Sequence, residues 1–225
     1  MTAPHVLLVH GFASSYERNW REPGWVDILA DEGREVIGLD LPGHGTADKP
    51  HDPEAYGNMG SAVLGALPDE QVDAIGFSLG GQLLLRVAAE HPGRFRRIVV
   101  GGVGDNIFRH DDPEAAARAI ESGEAADGDP GVAQAFAVFA KAPGNDPAAL
   151  AACLRRPRAA VTPGELAGVT VPVLVVLGDR DFAGPADKLI EALPDARLAP
   201  LAGADHFGTP KDFRFIDAAM DFLRD

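Results

Sequence analysis

The sequence predicts an α/β protein built around a mainly parallel sheet of about six strands that helices flank on both faces. Short apolar runs rich in β-branched residues alternate with amphipathic stretches, and this alternation with right-handed crossovers produces a parallel sheet. Most of the apolar runs lack a polar face, which is typical of strands that helices cover on both sides. One long helix-like segment interrupts the alternation and predicts an inserted helical cap.

The predicted strands and helices follow one another along the chain. The strand candidates are residues 6–10, 35–41, 72–77, 97–101, 171–177 and, with a weaker apolar pattern, 196–201. The helical patterns between and after them cover residues 55–67, 79–90, 185–193 and 210–223. The length agrees with this arrangement, because 225 residues suit one domain with a sizeable core and a small insertion.

Residues 105–166 contain no convincing strand. Three helix-like stretches take its place, and each begins with Asp-Pro or Pro-Gly, which are helix-start signals. They cover residues 112–122, 130–141 and 146–156. About sixty residues of helix between two strands are far more than one crossover needs. We therefore predict a core of residues 1–104 and 167–225 with a helical cap at residues 105–166.

The composition and the start of the chain narrow the range of partners. The chain carries 20 basic and 34 acidic residues, a net charge of −14, whereas nucleic acids and anionic membranes require a positive surface. No apolar run approaches the roughly 20 residues that span a bilayer. The start, MTAPHVLLVHG, lacks the basic segment of a signal peptide. We expect a cytoplasmic monomer or homodimer that acts on a small molecule.

No metal or organic cofactor is expected. The lone cysteine, Cys153, cannot form an intramolecular disulfide bond and lies in a helix-like stretch without an activating motif, so we expect a structural thiol. The histidines and acids show neither H-E-x-x-H nor paired-cysteine spacing. The GGVGDN stretch follows a strand but lacks the other glycines and the acidic partner of a dinucleotide fingerprint.

Ser78 stands at the junction of a predicted strand and a predicted helix, in GFSLGG. A serine there can simply cap the helix by accepting a backbone N–H. The glycines two residues before and after it favour a second interpretation, since glycine relieves the crowding of a strand that turns at once into a helix. Such a turn lifts the Ser78 hydroxyl clear of the sheet and places it above the free N–H groups of the helix.

A serine hydroxyl becomes a useful nucleophile only when a base removes its proton and a third group orients that base. Among seven histidines, His206 lies in a Gly-flanked loop between the last predicted strand and the final helix. Asp181 follows the preceding strand, in GDRD. Because the carboxyl ends of parallel strands lie along one edge of a sheet, we expect Ser78, Asp181 and His206 to converge there.

Five segments resemble the motifs of the α/β-hydrolase superfamily. VLLVHGF is similar to its first strand followed by His-Gly, and LDLPGHGTADKP to its Asp-x-x-Gly-His-Gly segment. GFSLGG resembles its nucleophile elbow, GDRD its acid loop and GADHF its histidine loop. The resemblance covers nearly the whole chain apart from the cap. The chain departs from larger members by lacking the antiparallel strands that precede HVLLVH in them.

The resemblance also assigns the acid. In the superfamily the acid usually stands three residues after the glycine that ends the strand, which selects Asp181 over Asp179. Asp105, which follows the strand ending at Gly101, occupies the position that some relatives use and is the reserve candidate.

By the same resemblance, the backbone N–H groups of Phe12 and Leu79 form the oxyanion hole. His10 and His44 are expected to brace the loop that carries this hole. We also place His10 at the edge of the substrate pocket.

A serine at the elbow implies an acyl-enzyme, whereas relatives with aspartate there form an alkyl-enzyme ester. Candidate substrates are carboxylic esters, lactones, thioesters or a C–C bond next to a carbonyl. The cap is expected to line the pocket with Ile107, Phe108, Phe136 and Phe139, although aromatic residues at helical spacing are often plain packing. We expect a small, weakly polar ester, while Arg109, Arg118 and Lys141 leave recognition of a carboxylate open.

Two alternatives come from other functional classes. Some members of this fold keep the triad and act as ligand receptors, because a fold does not determine a function. The second alternative is acyl transfer to an acceptor other than water.

Overall fold

The computed structural model of the chain describes residues 3–109, 112–123, 135–136 and 138–224. Within them, the centre is one sheet of six strands in which every neighbouring pair is parallel. The strands are β1 (Val6–Val9), β2 (Val36–Leu39), β3 (Val72–Phe77), β4 (Phe95–Gly101), β5 (Val173–Gly178) and β6 (Ala196–Leu201). The predicted α/β class and the predicted number of strands are therefore confirmed.

Eight α-helices are assigned in the described part of the chain. They are α1 (Trp25–Asp31), α2 (Gly60–Ala66), α3 (Leu79–Glu90), α4 (Glu114–Ser122), α5 (Pro147–Arg155), α6 (Pro163–Leu166), α7 (Asp187–Ala192) and α8 (Phe213–Arg224). Helix α3 has the predicted bounds, whereas α2, α7 and α8 begin later than predicted. Among the described helices, none has the length and apolar character to cross a lipid bilayer.

Helix α1 was not predicted from the sequence. It has seven residues and buries only Trp25 and Leu29. Two apolar residues spaced by four do not establish a helical period, so the sequence carries too short a pattern for this helix. A π-helical turn, Glu17–Arg21, precedes it and was also not predicted.

The strand order β2-β1-β3-β4-β5-β6 creates a switch point between β1 and β3. The chain leaves β1 toward one edge of the sheet and leaves β3 toward the other edge. The loops after these two strands therefore diverge and open a crevice at their carboxyl ends, where open α/β sheets bind ligands. Register brings the strand ends level, since Val9 pairs with Gly76 and Phe77 pairs with Gly101.

The core forms one layer on each face of the sheet. Leu7 and Val9 belong to the cluster that contains residues of α2, α3 and α7, while Val6 and Leu8 belong to the cluster that contains residues of α1 and α8. Alternate residues of a strand point to opposite faces. The fully buried strands β1, β3 and β5 explain why these segments of the sequence lack a polar face.

A buried ion cluster stabilises the sheet near the amino-terminal end of β3, away from the crevice at the carboxyl ends of the strands. Asp73 of β3 is fully buried, and its carboxylate accepts hydrogen bonds from Arg34 at 2.6 Å and from Arg96 at 2.6 and 2.8 Å. Both arginines also donate to the carbonyl oxygen of Leu223. This cluster joins the last turn of α8 to β3, to β4 and to the segment that precedes β2.

Between β4 and β5 the described residues contain α4, α5 and α6 and no strand. Helices α4 and α5 match two of the three predicted cap helices, and part of the third, residues 130–134 and 137, lies outside the described residues. Ile120 and Leu150 form a small apolar cluster with Ala13 in the loop after β1. The helical segment thus packs over the crevice, and its bounds as a cap of residues 105–166 stay a prediction.

Candidate active site

Ser78 lies in a sharp turn between β3 and α3. Its backbone has φ 49° and ψ −112°, a conformation that L-residues rarely adopt. A Cβ atom at Gly76 would lie 2.7 Å from the Gly81 nitrogen, and one at Gly80 would overlap the carbonyl oxygen of Val9. The glycines on both sides of Ser78 are therefore required by close backbone contacts, and the turn holds the hydroxyl at the edge of the sheet.

A chain of hydrogen bonds links Ser78 to His206 and Asp181. His206 Nε2 lies 3.0 Å from Ser78 Oγ, and His206 Nδ1 lies 2.8 and 3.0 Å from the two carboxylate oxygens of Asp181. Since a carboxylate only accepts, Nδ1 carries the proton and Nε2 is free to accept from the serine hydroxyl. The structure thus brings together the three residues that the sequence placed on separate strand ends.

Backbone and ring contacts hold this chain in place. Asp181 is buried, and its Oδ1 also accepts from the Ala183 backbone N–H at 2.8 Å. The His206 ring is 3% exposed and lies between Phe182 and Phe77, with ring centroids 4.2 and 4.9 Å away. The imidazole is therefore held between two aromatic rings.

Gly102 is a site residue that the sequence analysis missed. Its φ is +64°, and a Cβ atom there would lie 3.0 Å from the Cε1 atom of His206. The left-handed backbone and the contact with the ring both require glycine. The Gly-Gly pair that ends β4 was the available signal for this position.

The two other candidate acids do not contact His206. Asp179 is exposed, and its Oδ1 accepts from the Gly203 backbone N–H at 2.7 Å. Asp105 is buried, and its Oδ1 accepts from the Leu189 backbone N–H at 3.1 Å. Both carboxylates brace loops, so the geometry favours Asp181 as the partner of the histidine.

The backbone N–H groups of Leu79 and Phe12 have no hydrogen-bond acceptor among the described residues. Leu79 is the first residue of α3, where an N–H has no partner inside the helix. Phe12 lies in the loop after β1, across the switch point. Within the described residues, neither the Phe12 nor the Leu79 N–H donates a hydrogen bond. The oxyanion hole expected at these two N–H groups stays a prediction.

The loop that carries Phe12 is fixed by buried side chains. The Gly11 backbone N–H donates to Asn19 Oδ1 at 2.8 Å, and the Gly11 carbonyl oxygen lies 2.8 Å from His10 Nδ1. Asn19 belongs to the π-helical turn and was not identified from the sequence, because nothing in its local pattern marks it. It positions the residue that directly precedes Phe12.

His10 was placed at the substrate pocket from the sequence, and the structure corrects this. Its side chain is fully buried, and both nitrogens are bonded, with Nε2 accepting from the Leu41 N–H at 3.0 Å. Burial lowers the pKa of His10, and burial together with His10 lowers the pKa of His44 to about 3. Both rings are neutral supports of the loop, and the His44 ring lies 5.6 Å from that of Phe12.

Two cavities adjoin the site. The smaller, of about 170 Å³, is lined by Phe12, Ser78, His206, Phe136 and Phe139 among others. The larger, of about 890 Å³, begins at Leu79, Ile107 and Phe136 and extends along α3. Phe136 lines both cavities. Three of the predicted pocket residues thus lie at these cavities.

Phe108, like His10, is a predicted pocket residue that lines neither cavity. Phe108 is half-buried and packs against the core cluster on the α3 side of the sheet.

In the described part of the chain, no group of three or more His, Cys, Asp and Glu side chains is arranged to hold a metal ion.

Residues 4–122 match the family model described as alpha/beta hydrolase fold. The matched segment runs from β1 to α4 and contains the turn at Ser78. The chain belongs to the alpha/beta hydrolase fold family. Hydrolysis is therefore the reaction type that the family supports, and the carboxyl ends of β1, β3, β5 and β6 hold the residues described above.

Two proteins illustrate the range of sequences to which this chain is similar. An uncharacterised protein of Mycobacterium tuberculosis is 27% identical over an alignment of 264 positions. The alignment covers 99% of this chain and 76% of that protein. A 2-hydroxymuconate semialdehyde hydrolase of a Pseudomonas species is 33% identical over 103 residues, 43% of this chain and 35% of that enzyme.

Among solved structures, the enol-lactonase of Burkholderia xenovorans superposes with a TM-score of 0.78. The two sequences are 23% identical, and the match covers 100% of this chain and 93% of the other. At this identity the similarity shows the shared fold alone.

Proposed function

We propose that the protein is a serine hydrolase that cleaves a small carboxylic ester or lactone through an acyl-enzyme intermediate. The observation that carries this proposal is the hydrogen-bond chain from Ser78 Oγ through His206 to Asp181. A hydroxyl, a base and an orienting carboxylate in this order are the parts that acyl transfer to serine requires.

In the first half of the reaction, Ser78 Oγ attacks the substrate carbonyl carbon while its proton passes to His206 Nε2. The Asp181 carboxylate stabilises the imidazolium that forms. The tetrahedral intermediate collapses when the C–O bond to the alcohol breaks, and the alcohol leaves with the proton from His206. The acyl group remains on Ser78 as an ester.

In the second half, His206 Nε2 removes a proton from water, and the resulting hydroxide attacks the acyl carbonyl. Collapse of this intermediate releases the carboxylic acid and returns the proton to Ser78 Oγ. The negative oxygen of both tetrahedral intermediates is stabilised by the N–H groups of Phe12 and Leu79. Loss of one such donor typically costs about 3 kcal/mol of transition-state stabilisation.

The cavities support a small-molecule substrate. The 170 Å³ cavity at Ser78 and His206 accommodates a short acyl or alcohol group, and its walls are aromatic at Phe12, Phe136 and Phe139. The similarity to a 2-hydroxymuconate semialdehyde hydrolase makes cleavage of a C–C bond next to a carbonyl the second candidate. The same serine and the same base would serve that reaction.

A substrate panel tests the proposal. We expect 4-nitrophenyl esters of short acids and small lactones to be hydrolysed with many turnovers, and Ser78→Ala to abolish this rate while the fold is retained. One equivalent of product without further turnover would instead support a ligand receptor. Turnover of vinylogous 1,5-diketones together with inertness toward every ester and lactone would favour the C–C hydrolase.

A further inference from the structure

The larger cavity follows one face of α3 away from Ser78. Leu79, Gln82, Leu83, Arg86 and Glu90 all line it. Their spacing of three and four residues places them on the same side of the helix. The cavity therefore begins next to the proposed oxyanion hole and extends about 12 Å along the helix from Ser78 to Arg86, at a rise of 1.5 Å per residue.

Four arginines line this cavity. Arg86 is joined by Arg109, Arg156 and Arg158 from the segment between β4 and β5, and Glu90 is the acidic residue that also lines it. The whole chain has a net charge of −14. A concave surface that concentrates positive charge on an acidic protein attracts anions into that surface.

Within the described residues, the guanidinium groups of the cavity form no ion pair at contact distance. Arg86, Arg109 and Arg156 donate to backbone carbonyl oxygens, at 2.8 Å to Ala159, 2.9 Å to Gly184 and 2.7 Å to Cys153 respectively. In the described residues, no carboxylate forms an ion pair with any of these three or with Arg158. An arginine offers five N–H donors, so most donors in the cavity remain available.

The neighbouring residue shows the contrast. Arg155, the last residue of α5, forms ion pairs with Glu114 at 2.9 Å and with Glu121 at 2.5 Å. Arg156 faces the cavity, and burial lowers its pKa. A partly buried charge without a counter-charge is costly unless a ligand supplies one.

We propose that the cavity along α3 binds a carboxylate of the substrate, so that the ester or lactone is cleaved from an anionic molecule. This inference rests on the proposed function for the reacting bond and adds the chemical class of the substrate. It replaces the weakly polar ester that the sequence suggested. We place the carboxylate near Arg86. Because the Cα–Cβ bonds of a helix tilt toward its N-terminus, the side chain of Arg86 shortens the distance between the bound carboxylate and the reacting carbonyl.

Matched ester pairs test the inference. The first pair, mono-4-nitrophenyl glutarate and its methyl ester, tests a negative charge on the acyl side of the reacting ester. The second pair, 4-carboxyphenyl butyrate and its methyl ester, tests a negative charge on the alcohol side. We expect kcat/KM for at least one anionic ester to exceed that of its neutral partner by about tenfold, which corresponds to 1.4 kcal/mol. The difference should reside mainly in KM.

Three variants locate the effect. Arg156→Gln and Arg158→Gln should each lower the anionic-to-neutral ratio severalfold, and Arg158 is exposed, so its replacement does not endanger the fold. Arg118→Gln removes a charge from α4 outside the cavity and should leave the ratio unchanged. A wild-type ratio near one for both pairs, or equal ratios in all four proteins, overturns the inference.

A binding measurement separates this inference from the proposed function. Glutarate should raise the Tm of Ser78→Ala, and the combination of Ser78→Ala with Arg156→Gln and Arg158→Gln should lose that increase. If no ester is hydrolysed but glutarate still binds in this way, the proposed function fails and the anion site stands. If esters are hydrolysed and glutarate has no effect on Tm, the anion site fails.

Discussion

His206 Nδ1 lies 2.8 Å from Asp181 Oδ1, whereas the carboxylate of Asp179, two residues earlier, accepts from the Gly203 backbone N–H instead. The same short loop thus presents two acids with different tasks. Asp181 faces the histidine and is buried, while Asp179 closes the loop that follows β6.

Asp181→Asn is expected to lower kcat by about four orders of magnitude, as the loss of the orienting carboxylate does in a well-studied protease triad. The amide can donate to Nδ1, which favours the imidazole tautomer that cannot accept from Ser78. Asp179→Asn is the matched control and should retain kcat within severalfold. Steady-state kinetics on a short 4-nitrophenyl ester measure both. Similar small effects for the two variants would contradict the role of Asp181 and direct attention to Asp105.

Asn19→Ala should lower kcat by about tenfold or more, since the Gly11 N–H loses its acceptor and the Phe12 N–H is no longer held toward Ser78. KM should change less, because the side chain of Asn19 acts through the oxyanion loop. Measurement of kcat and KM for two esters with different acyl groups checks this. A change confined to KM, or different kcat losses for the two esters, would argue against a positioning role.

The pKa of His44 predicts how stability depends on pH. Its folded pKa of about 3 lies below the unfolded value of 6.5, so the unfolded chain binds the extra proton. This contribution to stability is complete above pH 6.5 and is lost as the pH falls toward the folded pKa. His10 acts in the same direction, since burial also lowers its pKa.

Between pH 6.5 and pH 5, His44 alone should reduce the free energy of unfolding by about 2 kcal/mol. Urea denaturation at pH 7, 6 and 5 measures this slope. His44→Gln should be less stable at pH 7 but show a shallower slope, whereas His91→Gln, at the exposed end of α3, should keep the slope of the unmodified protein. Parallel slopes in all three proteins would contradict the assignment.

Asp73→Asn should destabilise the protein by about 3 to 5 kcal/mol, because removal of one member of a buried ion cluster leaves the arginine charges uncompensated. Asp73 lies at the end of β3 opposite Ser78, so kcat of the folded fraction should not change. Asp221→Asn breaks an exposed ion pair with Arg224 and should have little effect. Urea denaturation compares the two variants, and equal midpoints would contradict a stabilising role of the Asp73 cluster.

The sequence predicted the strands and the three converging residues because each carries a local signal. Apolar runs without a polar face identified β1, β3 and β5, and Gly-x-Ser-x-Gly identified the turn at Ser78. The order of the strands directed the search for the acid to the loop after β5, and the resemblance to the superfamily selected Asp181 over Asp179 within it.

The supporting residues carried no such signal. Asn19 belongs to a π-helical turn that has no sequence pattern. Arg86 and Arg156 line the same cavity because the segment between β4 and β5 packs over α3. His10 was misplaced for the same reason. The His-Gly pair after β1 indicated the site, but the direction of the ring, toward the backbone of Leu41, depends on how the loops after β1 and β2 pack.

The central claim is that Ser78 is the nucleophile, and labelling with a fluorophosphonate followed by peptide mass spectrometry tests it most directly. The chain has five serines, and Ser78 is hydrogen-bonded to a histidine that a buried carboxylate orients. We expect one equivalent of label, at Ser78, with loss of esterase activity in the same proportion, and no label on folded His206→Gln. A label on another serine, or full esterase activity after complete labelling of Ser78, would contradict the account.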